Sequence, residues 1–204
     1  MSLNKSAAPA ALLALLLSGC SALQPPRIEQ PTLYLLDAAP ALRARQPQLD
    51  LVVAVDVPRA QAGFDTALMA YVREPHRLDY YANNRWVDAP ARMLAPLLVE
   101  ALERSGAFRA VLRAPHSVSA DLRLDTELLR LQQDFRTQPS RVQLTLRAQL
   151  VDLKANRVIA TREFDATESA PSEDAQGGVI AANRALAHVL GELIAFCSSA
   201  ARRG

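Results

Sequence analysis

Alternating apolar and polar positions predict a series of β-strands in the first half of the chain. Residues 31–38, PTLYLLDA, are typical of a short first strand. The nearly continuous apolar run of residues 49–57 fits a strand that is buried on both faces and ends at Pro58. Residues 67–72 and 76–81 flank a turn and predict a hairpin. The asparagines of the next segment, ANNRW, predict a second turn there.

A helical period begins after Pro90. An apolar stripe recurs at helical spacing and consists of Met93, Leu94, Leu97, Leu98, Ala101 and Leu102. Gly106 is a natural residue to end this helix. Pro96 lacks a backbone N–H, so the helix either kinks at that residue or starts later, near Ala95. The pattern leaves these alternatives open.

The second half of the chain predicts further strands and a closing helix. Residues 107–113 indicate one strand, and residues 121–131 and 141–152 alternate at period two. A turn through Asn156 leads to a returning antiparallel strand over residues 158–164. Residues 165–178 are polar and indicate a loop, within which Ser172, Glu173 and Asp174 suit a helix N-terminus. The final helix places on one face Val179, Ala182, Leu186, Val189, Leu190, Leu193 and Phe196.

This order of elements predicts a single α/β (α+β) domain. We expect a mixed, mainly antiparallel sheet with two main helices packed on one face. The strand of residues 141–152 directs its even-numbered apolar residues to one side and the arginines and glutamines of residues 141–149 to the other. The second face of the sheet is therefore expected to meet water or a partner protein.

The amino-terminal apolar run, residues 10–17, is too short to span a membrane. With Lys5 before it, the run predicts a removable signal peptide, residues 1–19. The motif LSGC at residues 17–20 resembles the lipobox of bacterial lipoproteins, which implies cleavage before Cys20 and acylation of that cysteine, for example with palmitate. The alternative is an ordinary signal peptide with an incidental cysteine.

The lipobox also implies a location and a domain organisation. By the sorting rule of such lipoproteins, Ser21 directs the protein to the outer membrane, with its folded part facing the periplasm. Residues 20–30 then form a lipidated tether, and residues 31–200 form the domain.

Composition and residue spacing argue against nucleic-acid binding and against catalysis. The formal net charge of +2 falls towards zero when Lys5 is removed, so no strong basic field remains. The histidines, His76, His116 and His188, are far apart and lack metal-ligand spacing. No nucleophile or phosphate-loop motif is present, and we expect no enzyme activity, cofactor or metal. Cys197 is either a buried apolar residue or the site of an intermolecular disulfide.

Four segments together resemble one known family. They are YLL at residues 34–36, LDLVVAVDVP at 49–58, RLDYYANNRW at 77–86 and SGAF at 105–108. Their order, behind a lipobox, resembles the ABC-type transport auxiliary lipoproteins of the paraquat-inducible protein C-like group, although residues 87–90 depart slightly from the usual spacing. The resemblance implies a docking role in phospholipid or related lipid traffic. The implied partners are a mammalian-cell-entry (MCE) domain tunnel protein and its ABC permease and ATPase.

The most specific of these segments contains Tyr80, Tyr81, Arg85 and Trp86, residue types that are enriched in interface hot spots. Trp86 could instead pack under the following helix. Neighbouring tyrosines on a strand point to opposite faces, so we expect one outward tyrosine and Arg85 to form a partner surface. An exposed edge strand would also allow self-association. The alternative functions are a periplasmic lipid carrier, which needs an interior cavity, and a scaffold for envelope assembly.

Overall fold

A computed structural model describes residues 30–40 and 47–203 of the chain. These residues contain nine strands and two helices. In chain order they are β1 (Thr32–Tyr34), β2 (Leu49–Val55), β3 (Arg59–Ala60), β4 (Leu68–Val72), β5 (Asp79–Trp86), α1 (Pro90–Ser105), β6 (Phe108–Arg113), β7 (Leu122–Asp134), β8 (Arg141–Asp152), β9 (Arg157–Ser169) and α2 (Ala175–Arg203).

The long strand β7 organises a single mixed sheet. Along one edge it pairs antiparallel with β8, which in turn pairs antiparallel with β9. Along the other edge it pairs in parallel with β2, β3 and β4 at successive positions. Strand β6 extends the sheet from β2, and β5 followed by β1 extends it from β4. The longest ladders are antiparallel, and the α+β fold with a mixed sheet predicted from the sequence is confirmed.

Strand β2 shows why a continuous apolar run indicates a parallel strand. It lies between β6 and β7, parallel to both, and residues Val52–Val55 are buried. Because side chains of both faces of the strand are buried over these four residues, the segment needs no alternating polar positions.

Helix α1 begins at Pro90 and includes Pro96. Of the two alternatives left open by the sequence, the later start near Ala95 is therefore excluded. Proline at the first turn costs no hydrogen bond because the first N–H groups of a helix lack partners. Pro96 and Arg92 are both exposed, so the carbonyl that Pro96 leaves unbonded is on the solvent side. Gly106 ends the helix in the left-handed conformation, with φ of 63°, as predicted.

Helix α2 and the inner face of the sheet enclose the core. α2 packs on β8 and β9, and Phe196 meets Phe164 of β9 edge-to-face at 5.7 Å between ring centroids. The residues from α2 with fully buried side chains include Leu186, Leu190 and Leu193. By length and composition α2 could span a membrane, but its apolar side packs against the sheet, as expected of a core helix.

Two local predictions are wrong. The segment ANNRW does not turn: β5 continues to Trp86 because β1 and β4 pair with its two edges. Residues 165–178 are not all loop, since β9 continues to Ser169 and α2 begins at Ala175, directly after the predicted helix start at Ser172–Asp174. Polar residues on the outward side of β9 gave this part of the strand the sequence pattern of a loop. One of them, Asp165, accepts a hydrogen bond of 2.6 Å from Thr145 of the neighbouring strand β8.

Candidate functional site

The candidate catalytic residue types do not converge. His76 lies in the exposed turn between β4 and β5, His116 contacts the carbonyl of Val118, and His188 lies on the solvent side of α2. Within the described ranges, no group of three or more His, Cys, Asp or Glu residues could hold a metal ion. Cys197 is fully buried, and burial raises the pKa of its thiol to about 12.

The face that remains as a candidate site is the helix-free face of the sheet, together with strand β5 at its end. Arg141 and Arg147 of β8 are exposed there, and Gln143 and Gln149 are half-buried, as the sequence predicted. Thr145 is the exception in this row, since it is buried and donates a hydrogen bond to Asp165.

Strand β5 divides the four predicted interface residues between its two faces. Ala70 of β4 is the partner of Tyr80, but Leu68 is the partner of Arg85, so β5 carries extra residues in a bulge. The bulge changes the alternation, and Tyr81 and Trp86 consequently both face the helices.

Of the inward pair, Trp86 belongs to the core and Tyr81 is half-buried against it. Trp86 is only 5% exposed and lies next to Tyr34 across the parallel β1–β5 pair. The ring of Tyr81 packs edge-on against Tyr71 at 4.9 Å between centroids. Burial raises the pKa of the Tyr81 hydroxyl, which remains a hydrogen-bond donor.

The outward pair is separated along the strand. Tyr80 is exposed near the β4–β5 turn, where its hydroxyl donates to the carbonyl of Gly63 at 3.0 Å. Arg85 is exposed at the other end of β5, beside Leu33 of β1. Arg85 forms no ion pair with any residue in the described parts of the chain.

A groove with a volume of about 440 Å³ crosses the helix-free face near Tyr80. We call it the outer groove, and its lining includes Phe64, Leu78, Leu129, Arg77, Arg130 and Arg136. Arg77 and Arg136 are held by carboxylates at the adjoining strand ends, at 3.1 Å from Asp79 of β5 and 2.6 Å from Asp134 of β7. Arg130 has no ion pair within the described residues, so its charge is available to a partner.

A buried polar network, which the sequence did not reveal, fixes the inward side of β5. The Tyr81 hydroxyl donates to Gln133 Oε1 at 2.9 Å, and Gln133 Nε2 donates to Ser140 Oγ at 2.9 Å. The backbone N–H of Ser140 donates to Glu173 Oε1 at 2.8 Å, which connects the network to the start of α2. A Cβ at Gly178 would overlap with Gln133 Oε1, so only glycine lets α2 approach this closely.

The family described as ABC-type transport auxiliary lipoprotein component matches residues 34–194, which extend from the end of β1 into α2. The chain belongs to this family. The match covers both the helix-free face and the strand β5, and it confirms the resemblance inferred from the sequence. A comparison with curated proteins gives no match.

Solved structures show the same fold for this auxiliary lipoprotein. A crystal structure of a protein from Xanthomonas campestris assigned to the family DUF330 is similar with a TM-score of 0.78 and 24% identity, covering 84% of this chain and 98% of that chain. A second crystal structure, of an uncharacterized protein, gives a TM-score of 0.65 at 13% identity, with coverages of 82% and 98%. At these identities the likeness establishes the fold alone.

Membership of the auxiliary lipoprotein family associates the chain with ABC-type transport and makes an anchor in the cell envelope plausible. The predicted acylation site, Cys20, lies outside the described residues and upstream of the matched range. Acylation of Cys20 therefore remains a prediction from the lipobox.

Proposed function

We propose that this protein is a non-enzymatic lipoprotein, acylated at Cys20, that docks an MCE-type ABC lipid transport system at the outer membrane. Its folded domain faces the periplasm, and its partners are the MCE-domain tunnel protein with the associated ABC permease and ATPase. The family match supports the transport role. The motif LSGC at residues 17–20 followed by Ser21 supports the anchor and the outer-membrane location.

The observation that favours docking over lipid carriage is the close packing between sheet and helix. The pocket that lies there, lined by Met69, Tyr81, Trp86 and Gly178 among others, has a volume of about 20 Å³. That volume suits about one water molecule, whereas small-molecule sites occupy roughly 300–1,000 Å³. A lipid chain would need the core between α2 and the sheet to open.

The outer groove and Tyr80 form the surface that we propose for the tunnel protein. Apolar side chains lie in the groove beside arginines, and Tyr80 stands exposed next to it. Tyrosine and arginine around an apolar centre are typical of interface hot spots. Tyr81 and Trp86 support this surface from the inward side of β5 and do not contact a partner directly.

Co-purification tests this function. The tagged full-length chain is expressed in its own host with the MCE-domain protein and ABC components of that organism, and the purified complex is analysed by native mass spectrometry. Recovery of the tunnel protein supports docking, and the same spectrum reports any self-association. Stoichiometric phospholipid without a tunnel protein would support the carrier, and recovery of a different envelope machine would support the scaffold.

A matched pair of variants tests the proposed surface. Tyr80→Ala combined with Arg130→Ala removes the exposed tyrosine beside the outer groove and one arginine within it. This double variant is expected to weaken recovery of the tunnel protein by about tenfold or more. Arg184→Ala, an exposed position on α2, is the control and is expected to have no effect. Equal recovery from both variants would exclude the outer groove as the docking surface.

A further inference from the structure

Three large apolar side chains are exposed together where the described domain begins. Leu33 is 60% exposed, Leu35 is 55% exposed and Val87 is 44% exposed. With Arg85 they form a surface that we call the β1 patch. Exposed apolar groups that adjoin one another, unlike single scattered ones, mark an interaction site.

The register of β1 and β5 places these side chains on one side. Leu33 pairs with Arg85 and Tyr34 pairs with Trp86, so the buried ring of Trp86 puts Arg85 and Leu33 on the opposite, solvent side. The N–H of Val87 donates to the carbonyl of Tyr34 at 2.9 Å, which continues the pairing and brings Val87 beside Leu35. The patch is therefore contiguous across two hydrogen-bonded segments.

The backbone behind the patch is held firmly. Leu36 and Ala38 are buried. Asn183 of α2 forms hydrogen bonds with the backbone on both sides of Leu36. Its Oδ1 accepts from the N–H of Asp37 at 2.8 Å, and its Nδ2 donates to the carbonyl of Leu35 at 3.2 Å. The exposure of Leu35 is thus fixed by the fold and is not the result of a loose chain end.

The position of the anchor identifies the surface that meets this patch. Twelve positions separate Cys20 from Thr32, the first residue of β1. For the tether predicted from the sequence, random-coil statistics give a root-mean-square span of about 20 Å, comparable to the radius of gyration of about 16 Å expected for a domain of this size. The end of the domain that carries the patch is consequently held within one domain diameter of the bilayer.

We propose that the β1 patch contacts the outer-membrane lipid surface and orients the domain on it. Leu33, Leu35 and Val87 lie at the boundary between headgroups and acyl chains, and Arg85 binds lipid phosphate. This inference rests on the proposed anchor at Cys20. It leaves the outer groove, beyond the other end of β5, free to dock the tunnel protein.

The test uses full-length lipidated protein in vesicles of phosphatidylethanolamine and phosphatidylglycerol with brominated acyl chains. An environment-sensitive fluorophore is attached to Val87→Cys or, as the control site, to Val118→Cys, which is 60% exposed elsewhere. Cys197 is fully buried and does not compete for the label. We expect bromine to quench the label at position 87 at least twofold more than the label at position 118.

Variants separate the patch from the tether. Leu33→Ser with Leu35→Ser is expected to reduce quenching at position 87 to the level of position 118, while the protein still floats with vesicles. Serine at Val57 and Val158, which are 55% and 48% exposed, is the matched control and should leave quenching unchanged. Persistence of quenching in the Leu33 and Leu35 variant would overturn the inference.

Flotation distinguishes failure of the patch from failure of the anchor. If the labelled protein floats but position 87 is quenched no more than position 118, the β1 patch is not a membrane contact and the anchor stands. If the native chain does not float, or if Cys20→Ala floats equally well, the anchor itself is wrong and the proposed location is wrong with it.

Discussion

Gly178→Ala is expected to destabilise the domain even though alanine is the better helix former. The new methyl group would overlap with Gln133 Oε1 and lie 3.0 Å from Gln133 Cδ. Gln133 is only 3% exposed, and the cavity beside it has a volume of only about 20 Å³. Its amide must rotate or α2 must move away from the sheet, and either change breaks the hydrogen bonds from Tyr81 and to Ser140.

The magnitude follows from these contacts. Each lost hydrogen bond removes about 1 kcal/mol, and each polar group left buried without a partner costs about 1–3 kcal/mol. Replacing glycine by alanine in a helix returns about 1 kcal/mol. We expect Gly178→Ala to lower the free energy of unfolding by about 2–4 kcal/mol, which is a large share of the stability of a typical domain.

Urea unfolding of the unlipidated Cys20→Ala chain measures this loss, with the fluorescence of Trp86, the single tryptophan, as the probe. The control is a double-mutant cycle with Gln133→Ala, which removes the side chain that the methyl group would strike. In that background Gly178→Ala is expected to be neutral or to stabilise by about 1 kcal/mol. An equal loss in both backgrounds would refute the steric explanation.

Three further predictions concern single side chains. The hydroxyl of Thr126 is buried without a hydrogen-bond partner in the described residues. Thr126→Val should therefore leave the free energy of unfolding unchanged or raise it by about 1 kcal/mol in the same urea assay. A clear loss of stability would contradict this prediction. The raised pKa of Cys197, about 12, predicts that iodoacetamide at pH 8 labels it only on unfolding; rapid labelling in buffer would contradict its burial. The pKa of Asp121 is lowered, first by a hydrogen bond from Lys154 and second by one from the Val52 N–H. The ionised carboxylate of Asp121 therefore stabilises the fold above about pH 4, and this contribution is lost as pH falls through the lowered pKa. Asp121→Asn should therefore flatten the acid limb of urea midpoints measured against pH.

The elements with a strong apolar period were predictable from the sequence because burial of one face is enough to produce that period. Strand β8 alternates strictly, and burial follows that alternation from Val142 to Leu150 with the exception of Thr145. Helix α1 was located by its apolar stripe and by Gly106. Its exact start was not, because the effect of Pro96 depends on whether the freed carbonyl faces solvent, and only the packed helix shows that.

The site was less predictable because its geometry depends on partners distant in sequence. Asparagines favour turns in isolation, but the segment after Tyr81 is held as a strand by β1 and β4. The bulge that turns Tyr81 and Trp86 to the same side arises from unequal lengths of paired strand, which no local pattern records. Gly178 belongs to no sequence motif, since its role is a close approach to Gln133 across the fold.

Strand β5 carries core residues on one side and proposed contact residues on the other, and this arrangement decides how interface experiments must be interpreted. Trp86→Ala would remove a large buried side chain, at a cost of about 3–5 kcal/mol, so loss of a partner in that variant would report unfolding as readily as a broken contact. Tyr80 and Arg85 are exposed, and changes there should leave the urea midpoint nearly unaltered. Only a variant that weakens binding at constant stability can assign a residue of β5 to an interface. By that criterion, a variant of Tyr80 tests the contact with the tunnel protein, and a variant of Arg85 tests the contact with the bilayer.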